Sequence, residues 1–145
     1  MIDNEEDTTT FNTNWVLDIH RMHIKFGVHD VIRNLEPETL RTFLQFRIDF
    51  LQEELNEMKD AETAEDVVDA LIDLCVVAIG TLDAFDVHAH QAWDVVHKAN
   101  MAKEVGIKAS RPNPLGLPDL IKPEGWVAPS HEDNHGMLTK CFSNK

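Results

Sequence analysis

The chain has 145 residues, enough for one domain that buries roughly two-thirds of its unfolded surface. Its 26 acidic residues outnumber 13 Lys and Arg, and the formal net charge of −13 leaves no basic face for a nucleic-acid partner. Two cysteines make no disulfide framework, and no apolar stretch nears the ~20 residues that span a bilayer, so the expectation is a soluble protein of a reducing cytosol without nucleic-acid or membrane partners.

Residues 1–11 are acidic and polar and read as a flexible segment. A first helix is expected from Thr13 to Phe26, with Trp15, Ile19, Met22 and Phe26 on one face and Gly27 as its stop. Residues 27–36 read as a connector. Pro37, suited to a first helical position, opens a second helix that runs to Asp60. A third spans Thr63 to Phe85, opened by the capping-box pattern Thr63-x-x-Asp66. Its body, VVDALIDLCVVAIGTLDAF, is apolar on nearly every side but an acidic stripe, which predicts a central buried helix with Cys75 in the core. A fourth helix is expected from His88 to Glu104, stopping at Gly106. Five of the six prolines follow Ser110, so residues 106–145 read as an extended tail, long enough to lie on a partner or over a site. Strand signals are nearly absent. The expected architecture is all-α, a four-helix bundle over residues 12–105 with a Pro-rich C-terminal tail.

The chemistry lies in the acids. At about 100° per residue, Glu54 falls in the middle of the apolar stripe of Leu40, Phe43, Phe50, Leu51 and Met58, with Glu57 beside it and Glu53 further round. Arg47, two turns earlier, points the same way. On the third helix Asp66, Asp69 and Asp73 share one arc, continued by the small Ala70, Val77, Gly80 and Ala84, which predicts room beside the acids. A carboxylate on a buried stripe is costly unless positive charge meets it. Two acidic stripes facing across a short turn are best reconciled by a divalent cation, and such cations in helical bundles hold phosphates. The helix dipole accounts for Asp66 and Asp69 near a helix start, but not for Asp73, nor for Glu54 and Glu57 near a C-terminus. On the fourth helix, Asn100 shares the side of Trp93 and Val96, with Lys103 nearby. The paired Glu-x-x-His motifs of a di-iron bundle are absent, as is a glycine-rich phosphate loop. His29-Asp30 is similar to the motif of HD-type phosphohydrolases but sits in the connector.

Together these residues resemble a family. Glu53-Glu54-Leu55-Asn56-Glu57 matches the EExxE signature of the MazG-like all-α nucleoside triphosphate pyrophosphohydrolases, relatives of phosphoribosyl-ATP pyrophosphohydrolase. The Asp69-to-Leu74 run resembles their second acidic helix. The segments from His23 to Gly27 and from His97 to Lys103 resemble phage and bacterial members. Where the family has ExxD, Ala70 stands three before Asp73, so Asp66 with Asp69, or Asp69 with Asp73, remain alternatives as ligands.

The resemblance implies hydrolysis of a (deoxy)nucleoside triphosphate to monophosphate and pyrophosphate. It implies Mg²⁺ or Mn²⁺, two to three ions, on Glu54, Glu57, Asp69 and Asp73, with Asp66 a further candidate. Glu53 and Glu54 are the implied catalytic pair, Glu53 as base or orienting group. Lys103, Asn100 and Arg47 would meet phosphate or sugar, and Trp15, Met22, His23 and Phe26 the base. By similarity to enzymes of phages that alter their nucleotide pools, dGTP or GTP is the first expected substrate. Family members assemble, so a homotetramer built as a dimer of dimers, or a dimer, is expected. The alternatives are a non-catalytic helical oligomerisation module with structural ions and an HD-type phosphohydrolase dependent on His29 and Asp30.

Overall fold

The computed structural model describes residues 13–110, 115–116 and 119–143. Among these, six α-helices and one antiparallel ribbon form in the order α1 (Trp15–Phe26), α2 (Val28–Arg33), α3 (Pro37–Asp60), α4 (Ala64–Ala84), α5 (Ala89–Met101), β1 (Glu104–Gly106), β2 (Asp119–Ile121) and α6 (Leu138–Cys141). The all-α expectation holds. Contacts group the described residues into two compact units: those up to Ala89 together with those from His135 onward, and His90–Asn134. The segment expected to be flexible, residues 1–11, lies outside the described residues. No described helix is long and apolar enough to cross a membrane.

In the first unit, local signals set the helix ends. The Asn14 side chain accepts from Leu17 N at 3.0 Å and starts α1. Gly27 ends it in the left-handed region at φ 69°, where a side chain would be strained. The chain then enters α2 directly, inside what the sequence presents as a connector. Its six residues are too short to show a period, yet Ile32 is buried and Val28 packs on the core. Pro37 opens α3, and Thr63 Oγ1 accepts from Asp66 N at 3.1 Å to open α4. α3 and α4 pack as a hairpin, with α1 against α4.

The main core joins Ile32, Leu40, Ala84, Phe85, Val87 and Cys141. Cys141 belongs to the segment expected as extended tail, which instead returns to the first unit as α6. Met137 N donates to Phe85 O at 2.6 Å, and Arg41 Nη1 donates to the Cys141 and Ser143 carbonyls at 3.1 and 3.3 Å.

Two expectations about burial fail. On α1 the buried residues are Ile19 and His23, while Trp15 and Phe26 are 53% and 69% exposed. On α4 Val68 is 61% exposed, and Leu71, Ile72 and Cys75 are not in the core. The reason is geometric: among the described residues of the first unit, α1, α2 and α3 are the main helices packed on α4, and one apolar face of α4 is left exposed.

In the second unit the helix expected to reach Glu104 ends at Met101, and the next residues pair with β2 in the register Glu104↔Ile121, Val105↔Leu120, Gly106↔Asp119. β-Branched Val105 favours this pairing. A Cβ at Gly106 would come within 2.7 Å of Ile121 Cδ1, so glycine there leaves room for the Ile121 side chain. Trp126 Nε1 donates to Ala99 O at 2.7 Å, and the Lys103 and Lys122 amines lie 5.5 and 5.0 Å from the centre of its ring.

Candidate active site

The i, i+3 spacing of Glu54 and Glu57 puts both on the side of α3 that faces Asp73 of α4. One carboxylate oxygen from each of the three lies within 4.8 Å of the others. Glu54 is buried, Asp73 half-buried and Glu57 exposed, so the trio runs from the interior to the surface. Glu54 Oε2 is the one fully buried side-chain polar atom without a hydrogen-bond partner among the described residues. Burial pushes the Glu54 carboxyl above the usual glutamate range, and the charges of Glu57 and Asp73 push it further.

Among the described residues, no salt bridge answers this charge. Arg47 Nε donates to Thr81 Oγ1 and Nη2 to Val77 O, both at 2.9 Å, which ties the middle of α3 to α4. Burial lowers its pKa from the usual arginine value. Most of the small-residue arc is filled, since Val77 and Ala84 are buried and the Arg47 guanidinium and His23 ring lie over Gly80; Ala70 borders open space, beside Asp66 and Asp69. Space opens instead at the turn end of the hairpin. There a cleft of about 670 Å³ is lined by Asp49, Glu53, Glu57, Asp60, Asp66 and Asp69. Glu57 thus belongs to both the trio and the cleft, whereas Asp66 and Asp69 belong to the cleft and Asp73 to the trio.

The donor set fits a hard divalent cation. It is all oxygen and anionic, and it includes a buried oxygen with nothing to accept from.

The remaining residues singled out in the sequence do not converge on the acids within the first unit. Trp15 lines an apolar cavity of about 320 Å³ with Ile19, Ile72, Cys75, Val76 and Ile79. Phe26 lines a different groove, beside Val31 and Phe46. Met22 is partly exposed, and His23 turns its ring to Asp83. Asn100 and Lys103 belong to the second unit. Asn100 and Trp93, expected to face inward, are exposed, and Lys103 is half-buried. Sequence reasoning passed over Asp83, which is buried and meets three histidines. The available signal was a charged residue between Leu82 and Ala84 in an otherwise apolar run.

The α3–α4 hairpin thus carries the EExxE run of residues 53–57 on one arm and Asp66, Asp69 and Asp73 on the other. The phosphoribosyl-ATP pyrophosphohydrolase family model matches residues 28–100, just over half of the chain, and the chain belongs to that family. No curated protein and no solved structure gives a significant match. The matched span holds α2, α3, α4 and nearly all of α5, and so every acid discussed above. Membership implies nucleotide pyrophosphohydrolase activity.

Proposed function

We propose that this protein hydrolyses a (deoxy)nucleoside triphosphate between the α- and β-phosphates, releasing monophosphate and pyrophosphate. Glu54, Glu57 and Asp73 would hold Mg²⁺ or Mn²⁺, with Asp69 and Asp66 as the ligands available across the adjoining cleft. The observation that carries this reading is the buried, unpartnered Glu54 Oε2 beside two further carboxylates. Two to three such ions would screen the triphosphate and make a bound water acidic enough to attack the α-phosphorus in line. Glu53, which lines the cleft beside the ligands, is the group to accept that water's proton. Lys103 and Asn100 offset phosphate charge or bond the sugar. Arg47, with its Nε and Nη2 engaged, either adds to them or fixes the distance between α3 and α4.

The first substrate in this reading is dGTP or GTP, by resemblance to phage enzymes that alter nucleotide pools. The aromatic groups of α1 do not form one base pocket in a single chain, and large apolar side chains of α1, α3 and α4 (Phe26, Phe46 and Val68 among them) are exposed. Both facts support a homo-oligomer, a dimer or a dimer of dimers, whose neighbouring subunits complete the base site. The HD-type alternative needs His29 and Asp30 at one point, whereas Asp30 is exposed and outside the His29 cluster.

The test is turnover of all eight (d)NTPs and of phosphoribosyl-ATP with Mg²⁺ or Mn²⁺, products resolved by anion exchange. Monophosphate and pyrophosphate from a (d)NTP, lost in Glu54→Gln, are expected. Cleavage of phosphoribosyl-ATP alone would overturn the substrate class, release of triphosphate would favour the HD chemistry, and no cleavage of any would leave the helical binding module.

A further inference from the structure

A second group of ligand-type side chains converges in the first unit, away from the trio of Glu54, Glu57 and Asp73. α1 supplies His20 and His23, α2 supplies His29, and α4 supplies Asp83, about 15 Å along the helix axis from Asp73. Asp83 is the centre. His20 Nδ1 lies 2.8 Å from its Oδ1, and His23 Nδ1 and His29 Nε2 lie 2.7 and 2.8 Å from its Oδ2. His23, His29 and Asp83 are buried, while the His20 side chain is 44% exposed. The Asp83 carboxylate is thus met by a ring nitrogen from each of three imidazoles.

One imidazolium would neutralise this aspartate, and three rings from two helices are more than neutralisation needs. A nitrogen of His20, a nitrogen of His29 and an oxygen of Asp83 all lie within 4.8 Å of one another. We propose that His20, His29 and Asp83 form a metal site for a zinc-class ion, distinct from the acidic centre, with His23 orienting the carboxylate. Metal–ligand bonds of about 2.0–2.2 Å in a tetrahedral site set ligand atoms roughly 3.3–3.6 Å apart. His20 meets Oδ1 and His29 meets Oδ2, each at 2.8 Å, and either contact reaches that spacing by opening roughly 0.5–0.8 Å. Two imidazole nitrogens and a carboxylate select zinc, cobalt or nickel over magnesium, whereas the all-oxygen hairpin has the reverse preference. His23 Nδ1 on Asp83 is the outer contact that holds a ligating carboxylate in place. The fourth position would take water on the side of the exposed His20 ring. Such an ion ties α1, α2 and α4 together, so it would raise the melting temperature whether or not substrate turns over.

The experiment uses the full chain without an affinity tag, stripped of metal and held in excess Mg²⁺ to fill the acidic centre, then titrated with Co²⁺. The expected result is one Co²⁺ per chain with the visible absorption of four-coordinate cobalt, displaced by Zn²⁺, and a higher melting temperature with either ion. His29→Gln and His20→Asn each remove a ligand and should weaken Co²⁺ by more than about 100-fold, while His23→Gln, losing an outer contact, should cost about 10–100-fold. His20→Asn alters a half-exposed ring and keeps the test open if His29→Gln fails to fold. Absence of the four-coordinate spectrum in Mg²⁺ overturns the proposal. So does Co²⁺ binding that survives both ligand variants and is lost in Glu57→Gln.

Discussion

Gly80→Ala measures how tightly Arg47 binds the two arms of the acidic hairpin. In a helix interior this exchange should by itself stabilise by about 1 kcal/mol, because glycine loses the most backbone freedom on folding. At position 80 the new Cβ would stand 2.9 Å from Arg47 Nη2, and ordinary contact begins at 3.4 Å. The guanidinium must therefore retreat by about 0.5 Å, which stretches its 2.9 Å bond to Val77 O toward the limit of a hydrogen bond. Losing a hydrogen bond from a charged donor costs about 1.5–3 kcal/mol, and Arg47 is only half-buried, so the lower end applies. The two effects nearly oppose, with a net loss of about 0.5–1 kcal/mol, a fall of roughly 1–4 °C in Tm for a chain of this size. Urea unfolding followed by circular dichroism, in chelator, reads this directly. In an Arg47→Met background the contact is gone, and Gly80→Ala should become stabilising by the full helix-propensity gain of about 1 kcal/mol. A stabilising Gly80→Ala in the wild-type background would refute the reasoning, since Arg47 would not then lie over Gly80.

Two further outcomes follow from the same site. The raised pKa of Glu54 means that the metal-free folded chain holds this proton more tightly than the unfolded chain does. Its ionisation therefore costs nothing below the ordinary value of 4.5 and costs progressively more stability as pH rises through that value to the raised one. Glu54→Gln should be more stable than wild type at neutral pH in chelator, with the difference vanishing toward about pH 4 and shrinking when Mg²⁺ is restored. A difference that grows as pH falls would reverse the sign and remove Glu54 from an uncompensated carboxylate cluster. Asp73→Asn removes a member of the trio and should lower turnover by at least about 100-fold, as should the paired loss of Glu57 and Asp73, whereas Asp66→Asn, in the first turn of α4, should cost no more than about 10-fold. Equal losses at positions 66 and 73, measured as kcat/KM with the preferred triphosphate, would place the ion in the cleft rather than in the trio.

What the sequence made legible follows the range of the interactions. α1, α3 and α4 are marked by signals within a few residues: Gly27 as a stop, Pro37 at a helix start, Thr63 capping Asp66. The pairing of Glu54 with Asp73 was also readable, because two periodic helices joined by a short turn leave one way to face each other. What could not be read depends on partners far along the chain. α2 is a helix because Ile32 finds Phe85 and Cys141, and Cys141 is core because the chain returns more than fifty residues later to meet Phe85 O through Met137. The wheel placed Trp15, Met22 and Phe26 on an inward face, whereas the described helices bury only Ile19 and His23 of α1. His23 shows the limit most sharply. Its sequence neighbours suggest a nucleobase contact, but its ring is fixed by Asp83, sixty positions away and unremarked in the apolar end of α4. Periodicity assigns a residue to a face; it cannot tell a face that meets substrate from one that meets a buried charge. The acids of this hairpin were identifiable because like charges on a buried face have few inexpensive explanations, whereas an isolated aspartate in an apolar run has several, and only the three rings around it decide among them.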